Sequence, residues 1–552
     1  MGLNHIIKLV VVIGVLLFAN DMVAQERVYL STDKNIYLAG EDVWFSVFCT
    51  DEENSGEPSR MSRLAYLGFY NAEGLAATVK VALKDGRGYG KFKIPFSFRT
   101  GNYSIVSYTS RCGGDSKGEF EGKIITVFNT MTAEKVAEGV EVVGKGESLE
   151  GAAGASANSA GIGVQVGDNS ADAVPVKISN NSESKVSLNV SVYHLDKLEA
   201  ITGERGYNTV PLKGRKGDFV ESGEPDYAGE VIKVRISPAA GRNGDVANKT
   251  VYMSVIGDTD DVYVNTTNKN GETVFYTNNI YGNRDMVFEV GSDTLAGYDV
   301  EFLGSSAVHT PAAIPVLKMR DDMKEALEER SLKMQISRRF EADTIFDVMD
   351  MRANSFIGRA VPKVYNLDEY TRFPVMEEVI REYVKDLRVR REGSQQVLKV
   401  MWEAIGQPLV LLDGVPLQDH SKVINLDPLL VKQIVIYPRR YILNNHTFEG
   451  VVKFVTYKGD LGGVKFGKNV SIHSYAGASY PLVFLGGKVQ GSESYPNYNS
   501  TIYWNPAITL NSGETFSFEC IKPDYSGTFR VVVEGFDSKG EEVYFSTTFQ
   551  TK

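Results

Sequence analysis

The sequence predicts a mainly β protein, built from tandem β-sandwiches with one small α+β domain near the carboxyl terminus. Segments rich in β-branched and aromatic residues recur about every ten residues, separated by turns such as Asn-Ala-Glu-Gly, Lys-Asp-Gly and Arg-Thr-Gly. Aromatic residues make up 11% of the chain and glycines number 53, which suits short strands joined by tight turns. The exception is the stretch 361–463, where a helical pattern precedes several strands, as in an α+β domain.

Residues 1–24 have the pattern of a secretory signal peptide. Lys8 is followed by the apolar run LVVVIGVLLF and by a polar stretch that ends at Ala24. This run is too short to span a membrane and no later apolar run is long enough, so we expect an exported chain without a transmembrane span. The periplasm and the outer-membrane or cell surface both stay open as its location. A net charge of −11 without a basic block argues against nucleic-acid binding.

Residues 25–130 predict an antiparallel β-sandwich. In the strand DVWFSVFCTD both faces carry apolar side chains, and turn sequences follow at regular spacing. The motifs TDK-x-x-Y-x-x-GE-x-x-W-F and P-x-x-x-x-x-G-x-Y resemble the MG2 domain of α-macroglobulins. That family traps proteases with a thioester formed in a Cys-Gly-Glu-Gln motif. The nearest string here, Cys112-Gly113-Gly114-Asp115, lacks the glutamine, so we expect no thioester.

Three cysteines are too few for a disulfide scaffold. Cys49 and Cys112 lie at opposite ends of the same predicted domain, and Cys520 is remote from both in sequence. A bridge between Cys49 and Cys112 is chemically permitted after export, and two separate thiols are equally compatible with the sequence.

The middle of the chain predicts a linker, two β segments and a helical connector. Residues 131–163 are rich in Gly, Ala and Ser, the composition of a flexible linker. Alternating patterns predict a β-sandwich segment at 164–226 and a sandwich at 227–305, with Asn270-Gly271 as a hairpin turn. The second of these resembles carboxypeptidase-regulatory-like immunoglobulin domains. Its acidic turn at 258–261 lacks the spacing of a calcium loop, which favours turn chemistry over Ca²⁺ binding.

Residues 306–360 include a stretch with helical composition at 319–340. Glu-to-Arg and Glu-to-Lys pairs at helical spacing support a helix there, and its basic end could indicate a membrane-surface helix. Because the apolar face is weak, a solvated connector is the better prediction.

The stretch 361–463 carries the strongest local signals. Asp413-Gly414 between two apolar runs predicts a hairpin, and two further β-branched runs follow at 431–437 and 451–457. One helical face carries Met376, Val379, Ile380, Tyr383, Val384 and Leu387.

The helix, then PLVLLDGVPL, LDPLLVKQIVIY and FEGVVKFVTYKGD, resembles the plug domain of TonB-dependent outer-membrane receptors. Residues 441–448 depart from that family, because they hold no glycine where a Tyr-Gly turn is usual. A 22-stranded barrel at ~10 residues per strand needs about 220 residues, far more than follow Asp460. We therefore expect that the chain is not itself a transporter.

Residues 464–552 predict a last sandwich, with turns at Asn511-Ser-Gly513 and at 537–540. Its Tyr-Trp-Asn-Pro opening and the pattern D-x-x-G-T-F-R-V-x-V-E-G resemble the terminal immunoglobulin-like domain of MG2/plug proteins of Gram-negative envelopes. The resemblances together imply immunoglobulin/macroglobulin-like sandwiches around one plug-like domain.

The sequence predicts no catalytic, cofactor-binding or metal-binding residues. The six histidines are scattered without metal spacing, and no G-x-S-x-G motif occurs. His420 lies in a turn-like stretch and is expected to be exposed. The string from Gly86 to Gly90 evokes a phosphate loop but has the wrong spacing, so a hairpin turn explains it better.

We therefore expect an exported, non-enzymatic binding or assembly protein of a Gram-negative envelope, with an envelope or outer-membrane protein as partner. The plug-like domain would dock through a sheet edge or the 437–448 loop, where Arg439, Arg440, Tyr441 and His446 cluster. The alternatives are an extracytoplasmic enzyme or enzyme accessory with a site between sandwiches, and a macroglobulin-like protease-interacting protein without a thioester.

Overall fold

The computed structural model describes most of the chain, in two compact units. The described residues are 26–51, 58–110, 112, 119–120, 122–132, 140–143, 158–168, 172–198, 226–257, 261–291, 297–303, 310–311, 313–340, 346–348, 356–358, 360–400, 406–484 and 496–551. The first unit comprises Met1–Gly223, His309–Val348 and Pro481–Lys552, and the second comprises Glu224–Val308 and Met349–Tyr480. The predicted signal peptide, most of the predicted linker and residues 258–260 lie outside the described residues.

Strands are numbered along the whole chain. Those of the first unit are β1 (Glu26–Thr32), β2 (Ile36–Leu38), β3 (Asp42–Asp51), β4 (Leu64–Asn71), β5 (Gly74–Ala82), β6 (Arg87–Lys93), β7 (Gly101–Tyr108), β8 (Glu119–Phe120), β9 (Lys123–Phe128), β10 (Val140–Val143), β11 (Ile162–Val166), β12 (Ala173–Asn180), β13 (Val186–His194), β20 (Thr310–Pro311), β21 (Leu317–Arg320), β22 (Phe346–Val348), β32 (Leu482–Phe484), β33 (Thr501–Leu510), β34 (Thr515–Ile521), β35 (Gly527–Asp537) and β36 (Glu542–Thr551).

Those of the second unit are β14 (Val231–Pro238), β15 (Thr250–Val255), β16 (Asp261–Thr266), β17 (Glu272–Tyr276), β18 (Asn283–Val290), β19 (Tyr298–Leu303), β23 (Lys363–Asn366), β24 (Leu387–Glu392), β25 (Gln395–Val400), β26 (Leu409–Leu412), β27 (Val415–Pro416), β28 (Val431–Leu443), β29 (His446–Thr456), β30 (Val470–Ala476) and β31 (Ala478–Ser479). The α-helices are α1 (Met323–Phe340), α2 (Met376–Tyr383) and α3 (Ser421–Ile424).

The amino-terminal sandwich packs one sheet, β1-β3-β6, against a second in which β2, β9, β7, β4 and β5 follow one another. Alternate residues of β3, such as Val43, Phe45 and Val47, are fully buried in the core between the sheets. Trp44, on the opposite face of β3, is buried as well. The predicted mainly β, sandwich architecture is confirmed.

A second sandwich of the first unit joins segments that the sequence predicts as separate domains. The sheet β11-β12-β34 packs on the sheet β33-β13-β35-β36, so the segments 164–226 and 464–552 share one core. The turn at Asn511-Ser-Gly513 passes from β33 to β34 in the opposite sheet, whereas the turn at 537–540 closes the β35–β36 hairpin as predicted. Alternation shows which face of a strand is buried, but it does not identify the partner strand.

Helix α1 differs from the solvated connector that the sequence predicts. Met323, Ala326 and Met334 are buried, and they pack in one cluster with Leu38 and Phe128 of the amino-terminal sandwich. The stripe at helical spacing includes the buried side chain of Arg330, which a hydrophobicity pattern counts as polar. Within the predicted linker, β10 forms a short parallel pair with β21. Among the described residues, no helix is both long and apolar enough to cross a membrane.

The sandwich of the second unit pairs β17-β14-β19 in one sheet and β16-β15-β18-β30 in the other. Strand β30 belongs to the segment predicted as the terminal sandwich, yet it pairs with β18 here. The Asn270-Gly271 turn exists, with Gly271 at φ +78°, but it links strands of opposite sheets rather than a hairpin. A positive φ fits both kinds of turn, so the dipeptide alone does not distinguish them.

The α+β domain is present, with a sheet ordered β23-β28-β29-β26-β27. Asp413 and Gly414 have φ of 46° and 86°, the left-handed pair that the predicted hairpin turn requires. The Asp413 carboxylate accepts hydrogen bonds from the amides of Thr456 (2.7 Å) and Leu461 (2.9 Å), which ties the turn to the end of β29. In the 441–448 loop, Asn444 takes the positive φ (53°) that a glycine would otherwise supply.

Helix α2 is shorter than the sequence pattern. It ends at Tyr383, and Leu387 begins strand β24. The predicted apolar face is otherwise correct, because Met376, Val379, Ile380, Val384 and Leu387 are all buried in one core.

Cys49, Cys112 and Cys520 are free thiols, all buried. Burial raises the pKa of Cys112 to about 12 and raises that of Cys520 well above its usual value. The thiolate is the reactive form, so these cysteines are shielded both sterically and chemically.

We expect a thiol reagent to modify the native protein slowly and the denatured, unreduced protein at three sites. Intact-mass measurement counts the modified thiols, and a chemically reduced sample serves as the control. A single modified cysteine in denatured, unreduced protein would show that Cys49 and Cys112 are bridged and contradict this assignment.

Candidate functional site

The residues of the TDK-x-x-Y-x-x-GE-x-x-W-F motif converge on a cavity in the first unit. The cavity has a volume of about 220 Å³ and lies between the amino-terminal sandwich, helix α1 and the 496–501 segment that leads into β33. Lys34, Glu41 and Trp44 of the motif line it, together with Arg330 and Tyr525. Sequence spacing could not reveal this site, because its walls come from segments hundreds of residues apart.

Arg330 of α1 forms the central contact of this site. Its guanidinium donates from Nε and Nη2 to both carboxylate oxygens of Glu41, at 3.1 and 2.9 Å. Nη1 donates to Asp196 at 2.7 Å, just beyond β13, and Nη2 also donates to the carbonyl of Ile36 at 2.6 Å. Arg330 is 6% exposed, so these bonds form in a desolvated setting where bidentate geometry is strongest.

The charges around Glu41 set its protonation. Burial alone would raise its pKa, but Arg330 and Lys34 outweigh burial and lower the pKa to about 2. Glu41 is therefore a carboxylate near neutral pH, where it is a charged partner for Arg330.

Asp33 connects the same motif to the second sandwich through hydrogen bonds. Its carboxylate accepts hydrogen bonds from the hydroxyl of Tyr37 (2.7 Å) and the amide of Trp44 (3.0 Å), which shapes the turn between β1 and β3. It also accepts from the hydroxyl of Thr501 on β33, and the Asp33 carbonyl accepts from Ser191 on β13. Asp33 is fully buried, and burial raises its pKa despite these bonds.

One contact at the cavity resembles catalytic geometry. The Nζ of Lys34 lies 2.6 Å from the Oγ of Ser500, the arrangement of a Ser–Lys pair. Lys34 also pairs with Glu41 at 3.2 Å. In this ion pair Nζ is an ammonium group that only donates, so it has no lone pair to accept the serine proton. The contact therefore orders the cavity wall and does not activate a nucleophile.

His194, also on the cavity wall, is unsuited to proton transfer near neutral pH. Burial and the neighbouring Lys333 lower its pKa to about 4, and its ring packs edge-on against Tyr525 with centroids 5.0 Å apart. A general base works best with a pKa close to the working pH.

The first unit contains another buried acid, Glu534, whose raised pKa is explained by its position between strands. Burial raises the pKa of Glu534 to about 7, next to Lys123. Ser31 donates to Glu534, and Asn189 donates to Ser31, so the group lies enclosed between β1, β13 and β35. This carboxylate is part of the contact between two sandwiches and is not part of a cleft that could admit a substrate.

The α+β domain of the second unit presents a second candidate site on its surface. Seven of the sixteen exposed large apolar side chains among the described residues belong to the 361–463 segment: Val361, Val364, Val375, Leu429, Leu430, Ile442 and Tyr457. Monomeric proteins rarely group exposed apolar side chains without a binding role.

Arg372 organises the densest part of this surface. It donates to the carbonyls of Pro428 (2.5 Å) and Val431 (2.9 Å) from Nη1. From Nη2 it donates to Asp368 (2.6 Å) and the hydroxyl of Tyr457 (2.7 Å). These bonds fix the two chain segments that flank it.

We call the exposed side chains of Val375, Leu429, Leu430 and Tyr457 the Arg372 patch. Leu429 is 63% exposed and Tyr457 is 48% exposed. The amide of Tyr457 donates to the carbonyl of Leu430 at 3.1 Å, so the two segments adjoin. Tyr and Arg are enriched at the energetic centres of protein interfaces, and the exposed leucines add apolar area beside them.

The predicted docking loop, 437–448, has a different role. Tyr441 packs in a cluster with Val262 and Val264 of the neighbouring sandwich in the same unit. Asn444 donates to the carbonyl of Val264 at 3.1 Å, and His446 lies 3.1 Å from the hydroxyl of Thr266. This loop is engaged within the second unit. The alternation of apolar and polar residues along a strand cannot show that a polar hairpin tip packs on another domain.

The histidines that the structure describes are not grouped with other metal-binding side chains. Within the described residues, no three His, Cys, Asp or Glu side chains are grouped to hold a metal ion. His420, expected to be exposed, is only 4% exposed, and its Nδ1 accepts a hydrogen bond from the amide of Leu398 at 3.0 Å. Its predicted exposure was wrong because the start of α3 packs against β25, where Leu398 donates to the ring.

Comparison with known proteins gives distant similarities. No family model and no curated protein matches the sequence. Among solved structures, Salmonella α-2-macroglobulin reacted with methylamine is similar over 96% of this chain and 39% of that chain, at 9% identity and a TM-score of 0.24. Trypsin-activated α-2-macroglobulin from Escherichia coli is similar over 96% and 41%, at 9% identity and a TM-score of 0.23.

The native conformation of the Escherichia coli protein gives 8% identity and a TM-score of 0.22, over 96% of this chain and 40% of that chain. The chain thus spans about two fifths of the length of these structures. With TM-scores this low, the β-sandwich assignment depends on the strand pairing described above.

We expect Arg330→Met to destabilise the first unit by about 3–5 kcal/mol at pH 7, because it removes the guanidinium that bonds the buried carboxylates of Glu41 and Asp196. Urea unfolding followed by tryptophan fluorescence measures this, since Trp44 lines the same cavity. Arg339→Met, on the exposed end of the same helix, is the matched control and should change stability by less than about 0.5 kcal/mol.

The pH dependence of the two proteins should also differ. Glu41 has a folded pKa of about 2, below its usual 4.5, so its stabilising contribution is full above pH 4.5 and is lost as the pH falls towards 2. Arg330→Met should lack most of this acid-dependent loss. Equal stability of Arg330→Met and Arg339→Met would contradict the role of Arg330.

Proposed function

We propose that this protein is an exported, non-enzymatic binding and assembly protein of a Gram-negative envelope, and that its α+β domain docks on an envelope protein through the Arg372 patch. The proposal combines the signal-peptide pattern of residues 1–24 with the plug-like resemblance of residues 361–463. The single observation that carries it is the grouping of exposed Val375, Leu429, Leu430 and Tyr457 around a guanidinium whose bonds are already made.

The chemistry of the patch indicates the kind of partner. Its centre is aliphatic and aromatic, while the charged groups beside it have mixed signs, with Asp368 near Lys432. A strongly acidic or basic partner would meet like charge somewhere on this rim, so an apolar, nearly neutral protein surface fits best.

The cavity of the first unit supports binding or assembly over catalysis. Four of its charged groups, Arg330, Glu41, Lys34 and Asp196, form one network of ion pairs. Such pairing suits a contact that fastens domains together, whereas a catalytic site keeps a nucleophile and a base available to substrate.

We expect Leu429→Asp to reduce recovery of the main envelope partner at least tenfold. A charge at the centre of an apolar interface commonly costs more than about 1.4 kcal/mol, a factor of ten in affinity. Partners are crosslinked in intact cells, purified with the full chain and quantified by mass spectrometry.

Leu332→Asp is the matched control, because Leu332 is an equally exposed leucine (60%) on helix α1 of the first unit. It should leave partner recovery unchanged. If Leu429→Asp recovers the same partners in the same amounts as the unmodified chain, the α+β domain does not dock through this patch.

A further inference from the structure

Glu289 is a buried carboxylate at the contact between the sandwich and the α+β domain of the second unit. It lies on β18 and is 2% exposed. Its Oε2 accepts a hydrogen bond from the amide of Gln418 at 3.1 Å, in the segment between β27 and α3. A buried acid therefore joins two domains through a single backbone amide.

The surroundings of Glu289 contain polar atoms that no protein group satisfies. In the part of the chain that the structure describes, Gln418 Nε2, Lys422 Nζ and Asn469 Oδ1 are buried and have no hydrogen-bond partner. The Nζ of Lys422 lies 5.3 Å from the centre of the Phe466 ring instead. Unpaired buried polar atoms are uncommon and costly. Three such atoms around one carboxylate indicate that the side chains here can adopt more than one set of hydrogen bonds.

The two protonation states of Glu289 differ in the cost of burying the side chain. A protonated carboxyl is uncharged, so it can stay at the contact between the two domains without a buried charge. The Gln418 amide, Lys422 and Asn469 favour the charged form, but the cost of burying the charge outweighs them. Deprotonation therefore weakens the contact with the 418–422 segment.

We propose that Glu289 is a proton-dependent latch, which holds the 418–424 segment of the α+β domain on the sandwich when protonated and loosens it when deprotonated. The proton comes from and returns to solvent, so no other reactant is required. The latch acts within the second unit and needs no bound partner, and it is therefore independent of docking at the Arg372 patch.

Glu289 ionises within the range of pH that an exported protein can encounter. Burial is the main cause that raises its pKa to about 7, while the Gln418 amide, Lys422 and Asn469 lower it and Asp419 raises it further. Because the folded pKa exceeds the usual 4.5, the stabilisation is full below pH 4.5 and is lost as the pH rises towards 7.

Other titratable and charged side chains face Glu289 from the neighbouring strands and from the α+β domain. Tyr252 is its partner on β15, and burial with the nearby Glu289 charge raises the tyrosine pKa to about 12. From β30, the opposite residue is the uncharged Val470. Asp419 and Lys422 come from the α+β domain, and the adjacent His420 stays neutral because burial lowers its pKa to about 4.

Hydrogen exchange of the full chain, monitored by mass spectrometry at pH 5 and pH 8, tests the latch. After correction for the intrinsic pH dependence of exchange, we expect opening of the peptide around 418–424 to increase roughly 70-fold at most from pH 5 to pH 8. The Gln418 amide is the direct reporter, because Glu289 is its acceptor.

Three variants separate the latch from general destabilisation. Glu289→Gln should remove most of the pH dependence, and Glu301→Gln, an exposed carboxyl on β19, should retain it. Lys422→Met should extend the loosening to higher pH, because removing the cation near the charged form raises the Glu289 pKa further. This last variant keeps the test valid if Glu289→Gln fails to fold.

A pH dependence in Glu289→Gln equal to that of the unmodified chain would overturn the proposal. So would equal opening of the 418–424 segment at pH 5 and pH 8 in the unmodified chain.

Discussion

The buried guanidinium of Arg330 is the interaction on which the first unit depends. It bonds Glu41 in the amino-terminal sandwich, Asp196 beyond β13 of the second sandwich, and a carbonyl of β2, all from helix α1. Removing such a charge from water costs several kcal/mol, which is offset only when good geometry satisfies its donors. The contact is therefore sensitive to the placement of all three segments, and it ties the packing of each to that of the others.

The motif at 32–45 can be understood through this contact. Asp33 and Tyr37 shape the turn, and Glu41 accepts hydrogen bonds from Arg330. Trp44 lines the adjoining cavity. The sequence predicted that these residues form a sandwich, and the alternation in β3 identified its core faces correctly. It did not predict their common function, because Arg330 lies 289 residues from Glu41. In a helix rich in Arg, Lys and Glu, a buried arginine has the same pattern as an exposed one.

The second unit shows the same division between local and long-range information. The Asp413-Gly414 turn and the buried face of α2 follow from backbone preferences and short spacings, and these could be derived from sequence. The pairing of β30 with β18 and the burial of His420 depend on segments that meet only in the folded chain. The Arg372 patch could not be predicted from the sequence for a related reason. In the sequence Leu429 and Leu430 have the pattern of core residues, and only the structure shows that they are exposed.

Arg330 and Arg372 form the same kinds of hydrogen bond in two different settings. Both donate to carboxylates and carbonyls from separate segments, one in the interior of the first unit and one beneath an exposed apolar surface of the second. In the first case the result is a contact between domains, and in the second a rigid surface suited to a partner.

Hydrogen exchange across the first unit in Arg330→Met, compared with Arg339→Met, tests the central claim most directly. If Arg330 couples the three segments, its loss should remove protection together from residues 36–41, from residues 194–198 and from α1, with the same opening free energy in each. Arg339→Met should leave all three protected. Loss of protection confined to α1, with the two sandwich segments unchanged, would show that Arg330 anchors only its own helix and would contradict the account.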